Sequence, residues 1–150
     1  MQLKTALIIS SCLFALNLFV IYLVSVFTME LLPGKGISGN GNPGIVLWYI
    51  EIPIYISLIA LIIYIINKVK FFANRTIFYP ILLLCALLLV SFLEYRFAAS
   101  LYHSIHDRIK EFGAVNQYTN TMFINYYTFT IGILLALIIQ SIVQKLRRIH

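Results

Sequence analysis

The stretch IEIPIYISLIALIIYII, residues 50–66, decides what kind of molecule this is. Isoleucine at this density suits a strand as well as a helix, so propensity does not choose between them. Periodicity does. A membrane-spanning strand alternates apolar with polar residues, whereas this run is apolar on every face. A helix also satisfies its own backbone hydrogen bonds in lipid, which a lone strand cannot do.

Working outward from this run, apolar segments of membrane length fall at about 5–29, 45–66, 77–101 and 121–143. Each exceeds the roughly 20 residues that cross a ~30 Å hydrocarbon layer as a helix. The whole chain is 61% hydrophobic and 11% charged, with a mean hydropathy of +0.94. One core of this size cannot hide that much apolar surface from water. The expected fold is all-α: a single domain forming an integral membrane four-helix bundle with antiparallel up-down topology. Lipid is then its solvent.

The start MQLK followed by ALIISSCLFALNLFV has the outline of a signal sequence, and ISSC loosely matches a lipobox ending at Cys12. The apolar run continues well past that cysteine, so an uncleaved first span is the expectation. Cys12 and Cys85 lie far apart inside apolar runs, without CxxC or Cys/His spacing, and read as small hydrophobic residues.

Charge sets the orientation. Lys4, Lys68, Lys70, Arg75, Lys145, Arg147 and Arg148 share one side; Lys35, Arg96, Arg108 and Lys110 share the other. The positive-inside rule then puts both termini in the cytoplasm of a cell-membrane, multi-pass protein. All five acidic residues, Glu30, Glu51, Glu94, Asp107 and Glu111, fall on the outer side or in the outer half of a span. NKVK and KLRR are short, membrane-adjacent and without a recognition module, so no nucleic-acid partner is expected. The isoleucine-rich, alanine-poor composition fits a low-GC bacterial source.

The loops carry further expectations. PGKGISGNGNPG, residues 33–44, has neither P-loop nor dinucleotide-binding spacing and reads as a flexible outer link. Asn42 is placed to cap the second helix, with Pro43 at its first position. Pro53 removes a helical hydrogen bond and is read as a kink near Tyr49 rather than the true start of the span. Leu93, Phe97, Leu101, Ile105 and Ile109 recur every fourth residue, which extends the third helix beyond the outer surface to about Phe112, with Gly113 as a left-handed cap. AVNQYTNT, residues 114–121, reads as a polar connection, and NKVKFFANR as a short turn making spans two and three neighbours.

Depth arithmetic brings polar groups together. Glu94 lies seventeen residues beyond Ile77, about 26 Å up a helix and close to the outer hydrocarbon edge. Glu51 and Asn125 reach a similar depth, and Arg96 lies at the edge. Such groups usually face a bundle interior and pair, although an arginine here can also snorkel to phosphates and a carboxylate can reach water. The candidate binding residues are Glu51, Glu94, Arg96, Asn125 and Tyr126. Arg96 is expected to meet Glu51, and Glu94 to be protonated or to bond Tyr126, Asn125 or Asn17; Asn17 otherwise reads as glue between helices.

His103, His106 and Asp107, with Glu111 a turn further, form a candidate metal face. Two histidines on a polar helix face are more often only solvated, so no metal or cofactor is expected. No catalytic triad or HExxH pattern is present. The leading expectation is a non-enzymatic membrane protein acting through contacts, as an accessory, regulatory or immunity-type protein with a membrane-protein partner or a second copy. The alternative is a small oligomeric transporter or channel using the outer Glu/Arg cluster. The third is a membrane enzyme or metal-binding protein.

This orientation has a direct check. Cysteines placed at Lys70 and Arg148 should resist an impermeant maleimide in intact cells, while cysteines at Gly36 and Val115 should react.

Overall fold

The structure, a computed structural model, describes residues 1–31, 41–73, 76, 78–109 and 113–149. Lys35, Arg75, Lys110, Glu111, Phe112 and most of the glycine-rich link therefore lie outside the described residues. Among them are four helices long and apolar enough to cross a membrane. They are α1 (Leu3–Phe27), α2 (Gly44–Val69), α3 (Phe78–Ile105) and, after the short α4 (Asn120–Phe123), α5 (Tyr126–Ile149).

α1 packs on α2, α2 on α5 and α5 on α3. Ile21 of α1, Leu58 of α2 and Phe129 of α5 form the core where three helices meet, flanked by Leu13, Tyr55, Ile62 and Ile133. α3 stands at the edge, and Ile105 is its one buried residue. The short turn after α2 does not make α2 and α3 the close neighbours that chain proximity implied. An apolar cavity of about 370 Å³, lined by Ile62, Ile66, Phe72, Tyr79, Leu83 and Leu137, separates them.

The helix ends are closed by specific polar groups. α2 ends at Lys70, whose φ of 48° is left-handed. This turns the Phe71 N–H back onto the Ile66 carbonyl at 3.2 Å, a Schellman-type closure. Gln144 of α5 completes it: its amide nitrogen Nε2 donates to the Ile66 carbonyl at 2.9 Å and to Asn67 Oδ1 at 3.2 Å, and its Oε1 accepts the Phe72 N–H at 2.9 Å. Nearby, the Tyr64 hydroxyl donates to the Met1 carbonyl at 2.6 Å.

The other end of the fold departs from expectation. The α-helical part of the third helix stops at Ile105 rather than near Phe112; a 3-10 turn covers His106–Arg108, and Ile109 has non-helical φ −112° and ψ 18°. Gly113 does not adopt the left-handed conformation expected of a cap. The apolar ladder that continued the helix on paper instead folds inward: Ile105, Ile109 and Tyr118 form a second buried cluster with Leu31 and Leu101.

Residues 114–120 are likewise more than a polar connection. Asn116, Gln117, Tyr118, Thr119 and Asn120 are all buried. Asn116 Oδ1 accepts the Tyr118 N–H, Thr119 Oγ1 accepts the Asn116 N–H, both at 2.9 Å, and the Gln117 carbonyl accepts the Met29 N–H at 2.8 Å. A buried loop needs such bonds because its backbone has no regular partner.

Asn42 does not cap α2, whose first turn has no side-chain cap. Its amide is engaged elsewhere. Asn42 Nδ2 donates to Asn120 Oδ1 at 2.9 Å, and Asn120 Nδ2 donates to Asn42 Oδ1 at 2.7 Å. Gly44 makes room for this pair, since a Cβ there would lie 2.5 Å from Asn120 Nδ2. Gly44→Ala is therefore expected to destabilise the fold by about 1–3 kcal/mol, read as an earlier denaturation midpoint of the detergent-solubilised protein.

Candidate functional site

α2 runs through Pro53 without interruption, from Gly44 to Val69. Pro53 has no N–H, so the Tyr49 carbonyl loses its helical donor one turn back. On either side of that defect, Trp48, Glu51 and Tyr55 fall at i, i+3 and i+7, which is one helix face. All three line a cleft of about 260 Å³, lined on its other sides by Ile21 of α1, Phe123 and Ile124, and Asn125, Thr128 and Phe129 around the start of α5.

Aromatic packing shapes this cleft. Trp48 meets Phe123 with ring centroids 5.5 Å apart, and Tyr55 meets Phe129 at 5.2 Å. The Tyr55 hydroxyl donates to the Phe129 carbonyl at 2.8 Å and lies directly over Gly132, where a side chain would collide with it. Glu51 is only 5% exposed. Its Oε2 has no hydrogen-bond partner, and neither has Trp48 Nε1. An acceptor and a donor thus sit unpaired in an apolar setting, where each normally costs roughly 1–3 kcal/mol unless something satisfies it.

Asn125 has a different role from a free ligand-binding amide. Its Oδ1 accepts the N–H groups of Tyr127 at 2.7 Å and Thr128 at 3.0 Å, while Thr128 Oγ1 accepts the Asn125 N–H at 3.1 Å. This is a reciprocal N-cap of α5. Its Nδ2 donates to the Thr121 carbonyl at 2.8 Å and to Glu94 Oε1 at 3.1 Å. The expected Glu94–Asn125 bond is present, and it ties α3 to the start of α5. Glu94 Oε2 is buried without a partner.

The remaining members do not join. Arg96 is exposed, and the expected Arg96–Glu51 pair is absent among the described residues. A separation of two residues turns Arg96 about 200° from Glu94, which sends it to the surface once Glu94 faces α5. Tyr126 is exposed and reaches the Leu18 carbonyl of α1 at 3.5 Å rather than Glu94. Asn17 is fully buried, but its Nδ2 donates to the Leu13 carbonyl of its own helix at 2.7 Å, and its Oδ1 is unpartnered. It does not bond another helix as expected.

His106 Nδ1 lies 3.3 Å from Asp107 Oδ1 on a largely exposed turn, and Tyr102 packs on both His103 and His106. No set of three possible ligands that could hold a metal occurs among the described residues. Sequence reasoning singled out Glu51 but neither Trp48 nor Tyr55, and so missed the cleft. Their shared helical face with Glu51 was the available signal. Gln140 and Ser141 of α5 are also buried, with Gln140 Oε1 and Ser141 Oγ unpartnered.

Comparison of the chain with protein-family models, curated proteins and solved structures gives no match.

The cap makes a separable prediction. Asn125→Ala removes bonds to two helical N–H groups and to Glu94, and is expected to destabilise by about 1–2 kcal/mol. Arg96→Ala should stay within roughly 0.5 kcal/mol, both compared by denaturant titration in one detergent.

Proposed function

We propose that this is a four-span bacterial cell-membrane protein, threading up and down with both termini cytoplasmic, and that it acts by holding another membrane protein through contacts inside the bilayer. The hydrogen bonds joining Tyr64 to Met1, Gln144 to Ile66, Gln117 to Met29 and Asn120 to Asn42 support the up-down arrangement. They bring the beginning of α1 to the end of α2, and the end of α1 to the segment preceding α5. The distribution of basic residues supports the orientation.

The observation that carries the contact reading is the exposed seam of α3. Ile81, Leu88, Phe92 and Tyr95 are 52–69% exposed, and Cys85 is exposed with them. Their spacing alternates four and three residues, the repeat with which one helix packs knobs into the holes of another. α3 rests against α5 on one side and offers this seam on the other. A transmembrane helix of a partner fits it, because intramembrane association depends on shape and close packing rather than on a hydrophobic drive.

The transporter reading has one observation in its favour: Asn125 joins Glu94 to the cleft containing Glu51. Such a protein would also need self-association, since four helices enclose little space.

Photocrosslinking distinguishes these readings. A diazirine side chain at Leu88 or Phe92, used in native membranes, is expected to give a discrete adduct with a different protein, and one at Ile8 of α1 only lipid adducts. Adducts between copies alone would favour the oligomeric transporter. Lipid adducts alone at Leu88 and Phe92 would defeat the contact reading.

A further inference from the structure

We infer that the cleft between Trp48, Glu51, Tyr55, Phe123 and Phe129 binds a small organic cation, an ammonium group carried on an apolar body. The site is independent of the α3 seam, and four features of it select this chemistry.

The first is the Glu51 carboxyl group, nineteen-twentieths buried, lining the cleft, with Oε2 lacking any donor. The second is that, apart from the Trp48 indole N–H, the other polar side chains around the cleft are already engaged. Tyr55 bonds the Phe129 carbonyl, and Asn125 and Thr128 cap α5. Glu51 is the acidic group left for a ligand, and none of the residues lining the cleft is basic. The third is the aromatic wall. Ring faces of Trp, Tyr and Phe attract a cation, most strongly where water is excluded. The fourth is size. At about 260 Å³ the cleft falls just under the ~300–1,000 Å³ of drug-sized pockets, so one ring or a short chain fills it.

An ammonium N–H supplies the donor that Oε2 lacks and neutralises its charge, while the apolar body occupies the rest. An anion would face Glu51 unfavourably, and a neutral body of the same shape would leave the carboxyl oxygen unsatisfied. The same ammonium chemistry is offered by a free amine and by the headgroup of an ethanolamine lipid.

Trp48 is the single tryptophan of the chain, so its fluorescence reports on the cleft without a label. The full-length protein in phosphatidylcholine vesicles is titrated with 2-phenylethylammonium and, separately, with 2-phenylethanol. The amine should give a saturable change in Trp48 emission, and the alcohol should bind at least about tenfold more weakly. Glu51→Gln should weaken the amine to the level of the alcohol, whereas Glu30→Gln, an exposed carboxyl at the end of α1, should leave it unchanged. Equal affinity for amine and alcohol in the unmutated protein overturns the inference and requires no variant to fold. So does the absence of saturation by the amine, or a Glu51→Gln protein with native helical circular dichroism and full affinity. Repeating the titration with phosphatidylethanolamine in the vesicles identifies the source of the ammonium group. A fall in apparent affinity assigns the site to the lipid headgroup, and an unchanged affinity assigns it to a free amine.

Discussion

Side-chain amides at the two ends of the bundle hold its arrangement together. The interior is filled by isoleucine, leucine and phenylalanine, which pack in many nearly equivalent ways and do little to distinguish one helix register from another. Asn42 and Asn120 can meet only in one alignment, and so can Gln144 with the last turn of α2. Each bond sits where a helix end or loop exposes backbone groups that need a partner. The amides thus combine two functions, satisfying buried polar atoms and selecting a register.

Asn125 extends the same logic to α3. One side chain caps α5 through its oxygen and reaches Glu94 through its nitrogen. α3 otherwise contributes little to the core, so this polar contact and the Ile105–Ile109–Tyr118 cluster anchor its C-terminal part. The long helix is left with an exposed seam, and the segment beyond it folds over the bundle instead of projecting away. Asn125 thus spends its side chain on bonds that join helices, while Glu51 Oε2 makes none.

That contrast gives the cleft its interest. Asn125, Thr128 and Tyr55 are engaged in bonds between or within helices, and Glu94 through Oε1 alone, whereas Glu51 Oε2 and Trp48 Nε1 remain unsatisfied within an apolar cleft. Buried polar groups without partners are uncommon because their desolvation is not offset. A ligand that offers an ammonium group resolves the carboxyl half of this imbalance, and a partner helix on α3 leaves that site untouched.

The amino-acid sequence alone determined the helices. Runs of apolar residues longer than a bilayer is thick, apolar on every face, leave the backbone few other solutions, and Glu51, Glu94 and Asn125 were recognisable as polar exceptions at similar depth. The i, i+3, i+7 alignment of Trp48, Glu51 and Tyr55 was equally present in the letters. Tertiary structure decided what those exceptions do. Whether Asn42 caps a helix or pairs with Asn120, whether Ile105 and Ile109 prolong a helix or bury under Tyr118, and whether Glu51 meets Arg96 or an apolar cleft depend on which helices lie side by side. That choice is made by packing and by a handful of long-range hydrogen bonds, which periodicity along a single chain does not encode.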